Sequence, residues 1–266
     1  FLLGATSGRT TLNGEGLQHQ DGHSHLLSGA VPNCVSYDPC YVYELAVIIQ
    51  DGLRRMYVED ERIFYYVTIM NENYTQPSMP DDVTNGILRG MYKLVSIDSS
   101  GSKRKIRLLG SGAILNEVMK ASIRLKRDYD VDAEVWSVTS FTELARDGHD
   151  VARWNMLHPA EQSQRSYVSE CLEGDTPVVA ATDYVKHHAE SIRGFIDASY
   201  RVLGTDGFGR SDTREQLRGF FEVDDRFVTL AALTELANAQ VIAQSDVKNA
   251  IKDMGIAPDK SNPRRS

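Results

Sequence analysis

VPNCVSYDPCYVYELAVIIQDGLRRMYVEDERIFYYVTIM, residues 31 to 70, decides the fold class. Val31 to Tyr37 reads as a short strand, and Asp38-Pro39 supplies a helix cap followed by proline at the first helical position. In the helix expected over Cys40 to Tyr57, Tyr41, Leu45, Ile48, Ile49 and Leu53 recur at three- and four-residue steps, leaving other positions to Glu44, Asp51, Arg54 and Arg55. That spacing makes one buried stripe and one wet face. Ile63 to Met70 is β-branched and aromatic with little polar content, as a strand covered on both faces of a parallel sheet requires. Strand, helix and strand close one βαβ unit.

Upstream, Phe1-Leu2-Leu3-Gly4 is apolar, lacks a basic leader and turns polar at Thr6-Ser7-Gly8-Arg9, so it reads as an interior strand of a truncated chain, not as a signal peptide. Downstream, residues 71 to 82 hold Pro77 and Pro80 among Asn, Gln and Ser and read as a loop; Ser99-Ser100-Gly101-Ser102 is a second break. Alternation then resumes: strand over Lys105 to Leu109, helix over Ala113 to Arg127, strand over Ala133 to Val138. A strand over Thr176 to Ala181 follows, with Thr182 or Asp183 capping a helix, then a short strand over Tyr200 to Leu203 and a helix over Asp224 to Gln240. The fold expected is α/β, with two consecutive domains of mostly parallel sheets flanked by helices, divided near residue 95 into 1–94 and 95–266.

The length of 266 residues suits two ordinary domains, and a formal charge of -8 with scattered signs argues against a nucleic-acid partner. Cys34, Cys40 and Cys171 lack CxxC spacing, so neither a disulfide framework nor a thiolate metal site is indicated, and a reducing cytoplasmic setting is expected. No run approaches the roughly 18 apolar residues of a membrane-spanning helix.

The densest cluster of functional side chains is Asn13-Gly14-Glu15-Gly16-Leu17-Gln18-His19-Gln20-Asp21-Gly22-His23-Ser24-His25, three histidines within seven residues. Its glycines predict a loop able to aim several side chains at one point. Three readings stand: a metal site from His19, Asp21, His23 and His25; a polar loop whose histidines bond local backbone groups; or an acid/base or substrate-anion site, suited to imidazole because its ordinary pKa of about 6.5 lets it give and take a proton near neutrality. Gly110-Ser111-Gly112 lacks the lysine of a P-loop and reads as a tight βα turn; Gly204 to Asp212 reads as a structural or interface segment; His187-His188 reads as two surface or partly packed histidines; Cys171 has no base beside it.

Gly8-Arg9-Thr10-Thr11-Leu12-Asn13-Gly14-Glu15-Gly16-Leu17-Gln18-His19 with Asp21-Gly22-His23-Ser24-His25 resembles the signature of homodimeric pyruvate dehydrogenase E1 components. The likeness continues through Ser36-Tyr37-Asp38-Pro39, Asn71-Glu72-Asn73-Tyr74, Ser137 to Gly148, Arg153-Trp154-Asn155 and Leu203 to Asp212, covering essentially the whole chain. It implies a transketolase-like enzyme using thiamine diphosphate and Mg2+, of which this chain carries the end of the pyrimidine-binding domain and the C-terminal domain. Through the resemblance, His19 matches a catalytic histidine, Glu15 an acidic residue near it, and Asp21 and His25 substrate-contacting groups, with no metal ligand in this chain. Gln20 stands where a glutamate is expected, Cys40 where alanine is expected, and Ser24 where transketolases carry threonine. The glutamate that activates the aminopyrimidine, the aromatic residue stacked on it and the Gly-Asp-Gly motif are expected upstream of Phe1. The resemblance also implies a homodimer that accepts pyruvate and works with dihydrolipoyl acetyltransferase (E2), this chain alone being inactive; the alternatives are another transketolase-like thiamine enzyme or a non-catalytic assembly pair.

Overall fold

The computed structural model describes residues 1–6, 8–98 and 102–266. In chain order the first elements are β1 (Leu2–Thr6), α1 (Ser24–Gly29), β2 (Cys34–Tyr37), α2 (Val42–Leu53), β3 (Phe64–Ile69) and α3 (Thr84–Arg89). There follow β4 (Met91–Ile97), β5 (Lys105–Gly110), α4 (Leu115–Tyr129), β6 (Asp132–Val138), α5 (Phe141–Leu157), α6 (Tyr167–Cys171) and β7 (Val178–Ala181). The chain ends through α7 (Lys186–Glu190), β8 (Tyr200–Leu203), α8 (Arg214–Phe221), α9 (Asp225–Asn238) and α10 (Gln244–Asp253).

One sheet has order β1-β3-β2, all parallel, and the other β4-β6-β5-β7-β8, parallel except for β4 against β6. Alternation along each strand splits the second sheet's core. Ile106, Leu108, Val135, Val179 and Ala181 pack with α4, α9 and α10, whereas Leu109, Trp136, Val178 and Ala180 pack with α5 and α6. Helices therefore cover both faces, so neighbouring residues such as Leu108-Leu109 and the whole of β7 are apolar. The expected α/β architecture of mostly parallel sheets is the architecture found.

Several local readings differ. Asp38 does not cap α2; the cap is Tyr41, and Glu44 reaches back to the amide N–H groups of Cys40 and Tyr41 at 2.6 and 2.9 Å. Asp38 is instead buried at the end of β2, accepting a bond from Thr68 Oγ1 at 2.7 Å, while its own N–H is held by the Thr139 carbonyl. Asp183 likewise leaves α7 uncapped and turns inward toward residue 10. The strand expected at the N-terminus forms as β1, at the edge of its sheet. Position 94/95, expected to divide the domains, falls inside β4, which pairs along β6. Of the expected break at Ser99-Ser100-Gly101-Ser102, the first three residues lie outside the described residues.

The two sheets are joined by buried polar bonds. Glu44, fully buried, also accepts from Tyr92 Oη on β4 and Ser137 Oγ on β6 at 2.7 and 2.6 Å, and Ser140 Oγ donates to the Ser36 carbonyl. Four donors on one carboxylate offset the cost of removing it from water, although burial still pushes that carboxyl up. Among the described residues no helix is long and apolar enough to cross a membrane.

Candidate functional site

The segment from residue 8 to the start of α1 has almost no regular structure of its own, and its shape is set by what it leans on. Asp183, at the C-terminal end of β7, is the deepest support: one carboxylate oxygen accepts the Thr10 N–H at 3.0 Å and the Thr10 hydroxyl at 2.7 Å, the other the Thr11 hydroxyl at 2.8 Å. Burial pushes the Asp183 carboxyl up, while Arg218 and these donors pull it back. Arg9, also buried, donates to the Gly207 carbonyl, and the Val185 N–H donates to the Gly22 carbonyl at 3.1 Å. Further out, Gly14 N–H donates to the Asp212 carbonyl at 3.1 Å, and Arg214 donates through its N–H to Asn13 Oδ1 and through Nε to the Thr11 carbonyl.

Between these anchors the chain bulges. The His19 N–H donates to the Gly16 carbonyl at 3.2 Å, closing a turn that brings His19 Nε2 to 3.8 Å from Glu15 Oε2. The two side chains are 58% and 51% exposed, the most open of the four residues singled out in the sequence. The pair thus sets a carboxylate and an imidazole side by side at the open face of the loop.

Asp21 and His25 are placed differently. Asp21 accepts from the N–H groups of His23 and Ser24 at 2.9 and 3.0 Å and from the Ser24 hydroxyl, so its carboxylate satisfies the free amides at the start of α1. His25 lies on α1, turned inward: hydrogen bonds join Nδ1 to Ser36 Oγ at 2.6 Å and Nε2 to Thr68 Oγ1 at 3.1 Å. Its ring stacks on His188 with centroids 4.9 Å apart and meets Tyr184 edge-on. Burial lowers the His25 pKa to about 3, so the ring is neutral, and both nitrogens are engaged inside the chain where the sequence led us to expect a substrate contact. His188 is buried as well, deeper than the surface or partly packed position expected for it. Its pKa too is driven well down, by burial first and by His25 second.

The sequence singles out Glu15 and His19, which the loop brings together, but not the residues that hold that loop. Gln20, Asp183 and Arg218 carry no local pattern that marks them, because each acts on a residue far away in the chain. A cleft of about 1230 Å³ borders the loop at Leu17, and Phe208, Arg210 and Lys260 also line it. Most of its cations are engaged: Lys120 with Glu117, Arg124 with Asp225, Arg218 with Glu72, and Lys260 with Glu222. Among the described residues no group of three or more His, Cys, Asp or Glu side chains could hold a metal ion.

Residues 1–77 match the family model for the pyruvate dehydrogenase E1 component middle domain, and residues 90–224 match that for the transketolase-like TK C-terminal domain. The chain is similar to the pyruvate dehydrogenase E1 component of Escherichia coli K12, 57% identical over 266 residues, and to that of Cupriavidus necator, 55% identical over 264 residues. Each match covers 99% of this chain and 30% of the relative, so the chain spans about a third of the length of these curated relatives. Among solved structures, a transketolase mutant from Pichia stipitis has a TM-score of 0.65 at 17% identity, covering 90% of this chain and 30% of the other. The transketolase of Leishmania mexicana reaches 0.63 at 17% identity, with 88% and 30% covered. At that identity the two structures bear on the fold alone.

Proposed function

Because this chain belongs to the pyruvate dehydrogenase E1 family and carries its transketolase-like C-terminal domain, we propose that it serves a subunit that oxidatively decarboxylates pyruvate with thiamine diphosphate and passes the acetyl group to lipoyl groups of dihydrolipoyl acetyltransferase. A homodimeric state and a cytoplasmic location belong to the same proposal, as does a domain division ahead of β4. The observation that carries the reading is the open Glu15–His19 pair at 3.8 Å, on a loop whose two flanks are bonded to the second sheet's domain.

When bound, thiamine diphosphate supplies the nucleophile and the electron sink. The residues present do not fit its diphosphate and magnesium: the described residues hold no three-ligand cluster, and the cations of the neighbouring cleft are largely neutralised by carboxylates. His19 gives or takes a proton at Nε2, Glu15 stands 3.8 Å from that atom, and Asp21 and His25 fix α1 so that the loop leaves the domain in one direction.

The test is His19→Ala in the full-length subunit. Positioned general acid/base groups contribute roughly 10²–10⁴-fold, so kcat should fall by about a hundredfold or more while circular dichroism and Tm stay at the parent values. Parent-like kcat removes His19 from the chemistry.

A further inference from the structure

Gln20 follows His19 directly, yet only 7% of it is exposed. Its amide makes two bonds to the same residue of the opposite loop: Nε2 donates to the Arg210 carbonyl at 2.5 Å, and Oε1 accepts the Arg210 N–H at 2.6 Å. The side chain thus pairs with Arg210 as a neighbouring strand would. Turned over, the amide would set oxygen against carbonyl and N–H against N–H, so the pairing itself assigns its orientation. Gly209 makes the approach possible, since a Cβ there would sit 2.7 Å from Gln20 Oε1 and 3.0 Å from the Leu17 Cα. Arg210 is itself braced, its guanidinium lying 4.2 Å above the Phe220 ring. On the other flank of the bulge, Asn13 and Gly14 are bonded to Arg214 and Asp212. His19 stands between the two clamps with its ring in solvent.

We propose that Gln20 is a positioning residue for His19, its amide pinning the loop to the Arg210 peptide immediately beside the imidazole. The proposal rests on the reading of His19 as the proton-transfer group. Catalytic groups must be held to a fraction of an ångström, and a displacement of about 1 Å can cost on the order of a hundredfold in rate. The amide is also the one side chain of this length that offers a donor and an acceptor at every pH. The glutamate that the resemblance leads one to expect at this position keeps the acceptor, but it can donate to the Arg210 carbonyl only when protonated, and burial raises the pH up to which it stays so.

Three variants of the full-length subunit test this. Gln20→Leu fills the same space with neither bond; kcat should fall about tenfold, with KM for pyruvate changed less than twofold and Tm close to the parent. For Gln20→Glu the ratio of kcat to the parent should be near one at the acid end of the working range and fall as pH rises. Dividing by the parent at each pH cancels the titration of the other groups on the two loops, Arg9, Glu15, His19, Asp21 and His23 on one side and Asp206, Arg210 and Asp212 on the other. His19→Gln is measured in parallel. If it loses activity while Gln20→Leu stays within twofold of the parent, or while the Gln20→Glu ratio is flat across pH, the positioning role is overturned and the reading of His19 survives. If Gln20→Leu fails to fold, the Gln20→Glu ratio decides alone. Full activity in His19→Gln overturns the reading of the loop and this inference with it.

Discussion

Replacing Asp183 by alanine should release the front of the histidine loop without unfolding the domain behind it. The carboxylate accepts one backbone N–H and two hydroxyls, all from Thr10 and Thr11, and it is fully buried at the end of β7. A hydrogen bond to a charged acceptor contributes about 1.5–3 kcal/mol net. The two hydroxyls can rotate toward other acceptors and recover part of their loss, whereas the Thr10 N–H has nowhere to turn. Counting the amide in full and the hydroxyls at a fraction gives about 3 kcal/mol for Asp183→Ala, or roughly a hundredfold at 1.4 kcal/mol per decade. Asp183→Asn keeps one oxygen for the Thr10 pair and loses mainly the attraction to Arg218, so about 1 kcal/mol, roughly fivefold, is expected there. Native-state hydrogen exchange on the full-length subunit reads this directly, because local opening sets the exchange of the Thr10 amide. Protection at residues 9 to 14 should drop about a hundredfold in the alanine variant, with β5, β6 and β7 unchanged. Exchange within threefold of the parent in Asp183→Ala, or equal losses in the Ala and Asn variants, would refute the assignment of Asp183 as the anchor.

Two further outcomes follow from buried groups away from the loop. Burial raises the Asp38 carboxyl to about 7, against bonds from Thr68 and Ser111 that pull it down. The folded chain then keeps a proton that the unfolded chain releases near pH 4, so stability falls as pH rises from about 4 to about 7 and stays reduced above. Asp38→Asn removes that fall, and thermal melts should show its Tm equal to the parent's near pH 4 and higher at pH 8; an offset independent of pH contradicts the shift. Gly90 closes α3 at φ 108°, where a Cβ would stand 2.6 Å from the Ser140 carbonyl oxygen. Gly90→Ala should cost about 2–4 kcal/mol through strain and overlap, lowering the denaturation midpoint while leaving kcat per folded subunit unchanged; a parent-like midpoint shows that the turn can relax.

The βαβ unit over residues 31–70 is legible because its signals are periodic and local: apolar steps of three and four in α2, and a β-branched and aromatic run with little polar content in β3. The misread positions share one cause. Asp38 and Asp183 each follow a strand and precede a helix, the local setting of an N-cap, and the pattern is indifferent to what lies across the fold. Thr10 is 173 residues from Asp183, and no rule confined to one turn of helix can see that distance. Strand β4 is passed over for a related reason: its Lys93 and Ser96 break the apolar run, as befits an antiparallel edge strand whose outward positions are wet. The Gln20 pair has no local signature either, since both of its partners are backbone groups of residue 210.

Three histidines within seven residues suggest one site, but they share a stretch of sequence and not an environment. The turn closed onto the Gly16 carbonyl leaves His19 in solvent with a carboxylate 3.8 Å away. Six residues later α1 has begun, and its first turn carries His25 into the wall between Ser36, Thr68 and His188. Desolvation then fixes what His25 can do: an imidazole whose pKa lies near 3 does not accept a proton at neutral pH and serves as a hydrogen-bonded strut, whereas His19 stays in solvent beside Glu15. On the proposed reading an inert His25 holds α1 while the proton transfer falls to His19. A buried charge at His25 would face Ser36, Thr68 and a second histidine with no carboxylate bonded to it, and α1 could be held only by breaking that packing. Burial thus separates the histidines of the loop, with His25 a strut in the wall and His19 the solvent-facing ring to which the proposed proton transfer belongs.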